Sequence, residues 1–203
     1  MGMTGWRGAA EESHRSLRLF TPNRGHALAA HLGALKLLAT IDTAVADADA
    51  PVRGALEREA GAALFRKHRF DPREHRTYVE RVFGRFANAP VRDDEVAHVG
   101  REPLGKLARA DRLLGPYEMA RGHGHPTENL ATGIAAAFLY DVPEDEQSKE
   151  LQRRLKDSGA LEVVAEVTEY EVGSDEHREI VGVYEELQRK RVLTQHPRRC
   201  AQE

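Results

Sequence analysis

Apolar residues recur three and four positions apart along most of the chain, and this spacing predicts α-helices rather than strands. The clearest stripe lies in a helix predicted over residues 25–46. Its apolar face consists of Leu28, Leu32, Leu35, Leu38, Ile41 and Val45. Small residues between Gly25 and Gly33 would let another helix approach closely. If the chain works with a separate partner domain, this stretch is the expected edge of an apolar face that the partner covers.

The same spacing, together with residues that start or stop helices, predicts further helices. They cover residues 9–19, 51–68, 72–86, 111–121, 127–140, 144–156 and 175–191. Pro22 disfavours helical backbone at Thr21 and separates the first helix from the second. Asp71-Pro72-Arg73-Glu74 is typical of a capped helix start. Thr127 and Ser174 are predicted N-caps, and Gly159 is a predicted C-terminal stop.

Two segments lack a clear helical period. Proline and glycine interrupt residues 88–109, which we predict to be mostly loop with at most one short helix. Residues 161–172 are rich in valine and suit a strand as well as a helix. The overall prediction is an all-α protein with one multi-helix domain over residues 9–191. A flexible N-terminus over residues 1–8 and a basic tail over residues 192–203 flank it.

Composition adds limits on location and partners. The 203 residues are 40% apolar and 31% charged, which suits one soluble globular domain. The 30 basic and 33 acidic residues are interspersed, so we expect no nucleic-acid partner. Cys200 is the only cysteine, which suits a reducing compartment. Without a secretory h-region or a membrane-length apolar run, the expected location is cytoplasmic; whether Met1 is the natural start stays open.

One motif contains residue types that can take part in catalysis or binding: Arg18-Leu-Phe-Thr-Pro-Asn23-Arg-Gly-His26. Several further segments follow it in order along the chain. They are Arg85-Phe-Ala-Asn88, Val99-Gly-Arg-Glu-Pro-Leu-Gly-Lys-Leu107, Asp111-Arg-Leu-Leu-Gly-Pro116, Gly124-His-Pro-Thr-Glu-Asn-Leu130 and Gly133-Ile-Ala-Ala-Ala137. Each segment is a weak pattern alone, and their order over residues 15–190 makes the combination specific.

In these segments the chain resembles the C-terminal helical domain of the long-chain polyol dehydrogenases, and of mannitol-1-phosphate 5-dehydrogenases in particular. The resemblance implies a helical fold like the C-terminal domain of 6-phosphogluconate dehydrogenase. It also implies descent from two-domain, NAD-dependent enzymes whose active site lies between the domains. In that family a lysine removes the hydroxyl proton, an asparagine polarises the forming carbonyl, and a histidine holds a neighbouring substrate hydroxyl.

Asn23 and His26 match this family motif, whereas Arg18 stands at the position of the lysine. A guanidinium group has a pKa above about 12 and does not serve as a general base near neutral pH. The chain also lacks a G-x-G-x-x-G turn, so we expect no cofactor to bind to this chain alone. NAD would bind only when a partner supplies a Rossmann domain.

The candidate catalytic residues are His26, Asn23 and Arg18. His26 can titrate near neutral pH and is the candidate acid or base, or else a structural histidine. Asn23 is an electrophile under the resemblance, or simply a helix cap. Arg18 suits a bidentate phosphate or carboxylate, or only preserves a positive charge at a decayed site.

Other candidates come from the loop-rich segment and from the histidines. Arg101 and Lys106 resemble the basic residues that face the substrate in the family, so we predict that they bind substrate. His123 and His125 have no nearby cysteine or spaced carboxylates to complete a metal site, so we expect no metal.

Three hypotheses for function stay open. The first is a stand-alone domain that binds a polyhydroxylated or phosphorylated small molecule, such as a polyol or sugar phosphate, and works with a separate Rossmann partner. The second is a cofactor-independent isomerase, cyclase or lyase in which His26 is the acid or base and Arg18 stabilises an anion. The third is a non-catalytic binding or dimerisation module, and a homodimer is compatible with all three.

Overall fold

A computed structural model of the chain describes residues 22–68, 71–87, 95–109 and 111–195. The helix predicted over residues 9–19, Arg18 and residues 196–203 of the predicted basic tail lie outside these ranges. Within them the chain forms helices and no strand, and the all-α prediction is confirmed. None of the described helices has both the length and the apolarity needed to cross a membrane.

The described residues form twelve α-helices, numbered here in chain order, and one π-helical turn between α3 and α4. The α-helices are α1 (Pro22–Leu35), α2 (Ile41–Asp47), α3 (Asp49–Arg53), α4 (Ala60–His68), α5 (Pro72–Ala87), α6 (Val96–Gly100), α7 (Pro103–Lys106), α8 (Leu114–Gly122), α9 (Glu128–Phe138), α10 (Glu146–Ser158), α11 (Ala160–Thr168) and α12 (Asp175–Gln195). The π-helical turn covers Gly54–Glu59.

The single helix predicted over residues 25–46 is wrong, because the chain turns between α1 and α2. The amide of Leu38 donates to the carbonyl of Gly33 at 3.0 Å, and that of Leu37 to Ala34 at 3.1 Å. This pair of bonds is a Schellman termination, which needs one left-handed residue after the helix. Leu37 takes that conformation, with φ at 57°. A leucine stands where glycine is usual, so the sequence shows no stop signal.

Other boundaries follow the predictions more closely. Residues 95–109, the described part of the segment predicted as loop, contain two short helices, α6 and α7, where at most one was predicted. The ambiguous residues 161–172 are helical up to Thr168, as part of α11. The last helix, α12, continues to Gln195, four residues into the predicted tail.

The predicted caps are mostly confirmed. Asp71 Oδ1 accepts a hydrogen bond from the amide of Arg73 at 2.7 Å, and Ser174 Oγ accepts one from His177 at 3.3 Å. Gly159 ends α10 with φ at 83°, a conformation that glycine adopts without strain. Thr127 precedes α9 but does not cap it with its side chain, because its hydroxyl donates to Glu179 Oε1 at 2.9 Å.

Helix α1 lies inside the molecule and packs against α2, α6 and α9. A Cβ atom on Gly33 would lie 2.6 Å from Ala44 Cβ in α2, and one on Gly133 in α9 would lie 1.8 Å from Leu28 Cδ2. The small residues of α1 therefore allow close packing within this chain. The expectation that they lie at the edge of a face covered by a partner stays a prediction.

Helix α9 forms the centre of the core, since every residue from Ile134 to Phe138 is fully buried. Its first amides are satisfied by a carboxylate from the π-helical turn. Glu59 Oε1 accepts from the amide and the Nδ2 of Asn129 at 3.0 and 2.5 Å, and Glu59 Oε2 accepts from the amide of Leu130 at 2.9 Å. Glu59 thus caps α9 from another helix, where a negative charge also suits the helix dipole.

A buried arginine, Arg24, interacts electrostatically with this carboxylate. Arg24 is fully buried, and its Nε donates to the carbonyl of Arg112 at 3.0 Å. Burial lowers the pKa of Arg24, and the charge of Glu59 acts in the opposite direction. Because an arginine side chain stays protonated in proteins, the two opposite charges compensate one another in the core.

The first prediction concerns Glu59. Replacing it in Glu59→Gln keeps the shape but leaves one oxygen for three donors and removes the negative charge that acts on Arg24. We expect the free energy of unfolding to fall by about 2–4 kcal/mol, measured by urea denaturation. Glu57→Gln is the control, since Glu57 lies on the same turn, is 30% exposed and only approaches Arg53 at 3.6 Å. Equal losses in the two variants would contradict this assignment.

The second prediction concerns Leu37, which is 75% exposed and left-handed. Leu37→Gly removes the steric cost of that conformation, so we expect a gain of up to about 1 kcal/mol in the free energy of unfolding. Leu37→Ala serves as the control, because it removes the exposed apolar side chain but keeps Cβ. A gain in both variants would assign the effect to the side chain rather than to the backbone.

Candidate functional site

The motif residues fall at the start of α1. Pro22 is the first helical residue, a position that suits its fixed φ and its missing amide hydrogen. Asn23 follows it, and His26 comes three residues later, so the two share one side of the first turn. Arg18 and the side chain of Asn23 lie outside the described residues. Their predicted roles stay predictions.

The ring of His26 is half-buried and stacked on Phe86 of α5, with the ring centres 4.8 Å apart and the planes 14° apart. The glycine before it makes this approach close. A Cβ atom on Gly25 would lie 3.1 Å from Leu56 Cδ1 and 3.2 Å from Phe86 Cε2. The stacking fixes the plane of the His26 ring, and with it the directions in which its nitrogens can form hydrogen bonds.

Arg101 and Lys106 lie at the two ends of a short segment that includes α7. Arg101 is exposed, whereas Lys106 is only 7% exposed and its Nζ donates to the carbonyl of Arg101. Between them Glu102 is left-handed with φ at 58°, although a proline follows it. Its amide donates to Asp145 Oδ2 at 2.6 Å. The segment is therefore held in a strained shape by its surroundings, which is common near functional sites.

Burial changes the acidity of Lys106. Desolvation, and after it the charge of Arg112, lower the pKa of this lysine to about 8, while Glu102 and Asp145 act in the opposite direction. The ammonium form still predominates at pH 7, and a neutral amine becomes abundant only above about pH 8. Near neutral pH this group is a cation inside the protein.

The predicted site residues are not all brought together. Within the described ranges, no hydrogen bond or ring contact joins His26 to Arg101 or Lys106. Lys106 instead acts electrostatically on His31, five residues after His26 in α1. Five residues correspond to about 140° around a helix, so the two histidines point to different sides of α1.

His31 is the residue that the sequence reasoning missed. It is fully buried, and neither of its ring nitrogens has a hydrogen-bond partner among the described residues. Its ring meets that of Tyr140 edge-on, with centres 5.2 Å apart. Burial, followed by the charges of Lys106 and Arg112, lowers the pKa of His31 to about 3. Its position three residues after Leu28 and four before Leu35, on the apolar stripe, was the available signal.

A cavity of about 840 Å³ lies away from these residues, bordered by α8, the start of α12 and the segment between α11 and α12. Its arginines already have acidic partners: Arg121 lies 3.0 Å from Glu176 and 2.8 Å from Glu179, and Arg109 lies 2.9 Å from Glu118. The predicted site residues with described side chains, His26, Arg101 and Lys106, do not line it. Among the described residues, no group of three or more histidines, cysteines or acidic residues is arranged to hold a metal ion.

Comparison with known proteins connects this geometry to a family. A solved structure of the Pseudomonas fluorescens mannitol 2-dehydrogenase, a ternary complex with NAD and D-mannitol, superposes with a TM-score of 0.67 at 16% sequence identity. The match covers 91% of this chain and 39% of that chain, so the present chain spans less than half the length of this relative. At this identity the likeness establishes a shared fold.

A match to a family model gives more direct evidence of the family than the shared fold does. The model described as the mannitol dehydrogenase C-terminal domain matches residues 12–198, which include the motif, the described helices and both short helices α6 and α7. The chain therefore belongs to the mannitol dehydrogenase C-terminal domain family and is derived from the polyol dehydrogenases.

Proposed function

We propose that this domain binds a polyhydroxylated or phosphorylated small molecule at the first turn of α1. The observation that carries the proposal is the placement of Asn23 and His26 on one side of that turn, with the His26 ring already fixed against Phe86. An amide and an imidazole three residues apart can hold neighbouring hydroxyl groups of a polyol. Orienting the imidazole before the ligand arrives reduces the cost of binding.

The electrostatics of the turn agree with this ligand class. Helix α1 has 14 residues and no acidic side chain in its first turn, so its N-terminal amides and dipole favour hydroxyl oxygens and anionic groups. In this proposal Arg18, which lies outside the described residues, supplies a guanidinium that suits a phosphate or a carboxylate. The proposed ligand is therefore a sugar or polyol that can carry an anionic group.

We further propose that any nicotinamide chemistry requires a second, nucleotide-binding domain. The mannitol 2-dehydrogenase in complex with NAD and D-mannitol contains a long portion that this chain does not match. No sequence in this chain has the glycine-rich turn of a dinucleotide site. In this proposal a Rossmann partner supplies the NAD site, and this chain alone binds no cofactor.

The third prediction tests the polyol site. Mannitol and mannitol 1-phosphate are titrated calorimetrically into the wild type and into His26→Ala, with and without NAD. Because a hydroxyl partner and a stacked ring are lost, we expect His26→Ala to weaken binding of both ligands about tenfold.

The matched control is His123→Ala, since His123 is also half-buried and follows α8 outside the motif. Unchanged affinity in His26→Ala, or an equal loss in His123→Ala, would contradict the proposed site.

The fourth prediction distinguishes recognition of the phosphate group from recognition of the polyol hydroxyls. Arg18→Lys keeps the charge but loses the planar pair of donors that a phosphate accepts. We expect it to reduce affinity for mannitol 1-phosphate several-fold and to leave affinity for mannitol unchanged, again by calorimetry. If the two ligands lose affinity equally, Arg18 does not recognise the anionic group.

A further inference from the structure

We propose that an apolar groove at the C-terminal end of α1 is the surface through which two copies of this chain form a symmetric dimer. The groove has a volume of about 480 Å³. Its apolar lining includes Ala34, Leu37, Leu38, Val96, Leu139 and Val142. The groove lies at the opposite end of α1 from the polyol site, about 20 Å along the helix axis, and the proposal does not depend on that site.

The side chain of Leu37 is the first observation that indicates a partner. Leu37 is 75% exposed and keeps a left-handed φ of 57°, a conformation that costs a leucine about 1–2 kcal/mol. Because most of this side chain is exposed to solvent, packing within the chain compensates little of that strain. A strained, exposed apolar residue beside an apolar groove is typical of an interaction surface.

Leu37 and the groove are complementary to each other, and this favours a second copy of the chain as the occupant. In a dimer with two-fold symmetry the same surface meets itself, so Leu37 of each protomer can enter the groove of the other. A cavity of roughly 150 Å³ holds a group of the size of benzene. The groove therefore has room for a leucine side chain and its apolar neighbours. Pairing in this way removes two exposed leucines from water at once.

The rim of the groove has charges of both signs, which a copy of the same surface can match. Glu95 and Asp141 contribute carboxylates, and Arg191 contributes a guanidinium. Glu95 is exposed, and Asp141 is 55% exposed and lies 3.8 Å from Arg191. When two such rims face each other across a two-fold axis, the carboxylates of each protomer can meet the guanidinium of the other. A partner with charges of one sign only would meet a like charge on this rim.

Hydrogen bonds within the monomer hold the groove in shape. The amide of Val96 donates to the carbonyl of Ala39 at 2.9 Å and joins the segment after α1 to the start of α6. Arg191 Nη1 donates to the carbonyl of Leu139 at 2.9 Å, which connects α12 to the end of α9. The Schellman termination of α1 fixes the position of Leu37. A preformed surface loses little conformational entropy when it associates.

Sedimentation velocity of the full chain over a range of micromolar concentrations tests the dimer. We expect a reversible equilibrium between monomer and dimer, and Leu37→Asp should weaken it about tenfold or more. Aspartate adopts left-handed backbone more readily than leucine, so this variant keeps the turn. Leu37→Gly should also weaken the dimer, although glycine relieves the strain in the monomer. The control is Leu161→Asp, since Leu161 is 57% exposed and does not line the groove.

The outcomes distinguish this dimer from other occupants of the groove. The amide shifts of Ala97 and Val142, which line the groove, should change with protein concentration in the wild type and stay constant in Leu37→Asp. A wild type that stays monomeric would overturn the proposal and assign the groove to a different protein or to another segment of this chain. A dimer of equal affinity in the wild type and both Leu37 variants, or an equal loss in Leu161→Asp, would also overturn it.

Discussion

The carboxylate of Glu59 at the start of α9 is the interaction on which the architecture depends. It satisfies amides at the N-terminus of the most deeply buried helix and joins that helix to the chain segment that contains Gly54. A Cβ atom at Gly54 would lie 2.6 Å from Asn129 Nδ2, so glycine is required for this approach. The buried negative charge of Glu59 in turn favours the burial of the Arg24 guanidinium in the core. The core therefore combines close packing of small residues with one compensated pair of charges.

Helix α1 serves both the core and the candidate sites. Its small residues pack against α2 and α9, which fixes the helix axis. With the axis fixed, residues on different sides of one helix acquire different surroundings. His26 stacks on Phe86 and is half-buried, while His31 is fully buried and meets the ring of Tyr140 edge-on. Two histidines five residues apart thus have different chemistry because of packing rather than because of residue type.

The helical class, most helix positions and the family were accessible from the sequence, because apolar spacing and the order of motifs are visible in the sequence without knowledge of tertiary contacts. The end of α1 was not, since Leu37 adopts a conformation that the sequence gives no reason to expect. The electrostatic effect of Lys106 on His31 was not accessible either, because it depends on how segments far apart in the sequence fold together. The motif singled out Asn23 and His26, but the sequence placed Asn23 before the helix, whereas the structure has both residues in the first turn of α1. The motif gave no indication of the buried His31.

The π-helical turn at Gly54–Glu59 determines how α3 and α4, the helices on either side of it, are rotated relative to each other. A π-type hydrogen bond spans one more residue than an α-type bond, so the turn shifts the phase of everything after it by roughly 100°. Helices α3 and α4 therefore continue along one rod but present their apolar residues in different directions. Val52 and Leu64 are both fully buried, and α3 packs against α1 and α2 whereas α4 packs against α8. Deleting a single residue from this turn would restore a regular helix and misalign one half of the rod with the core.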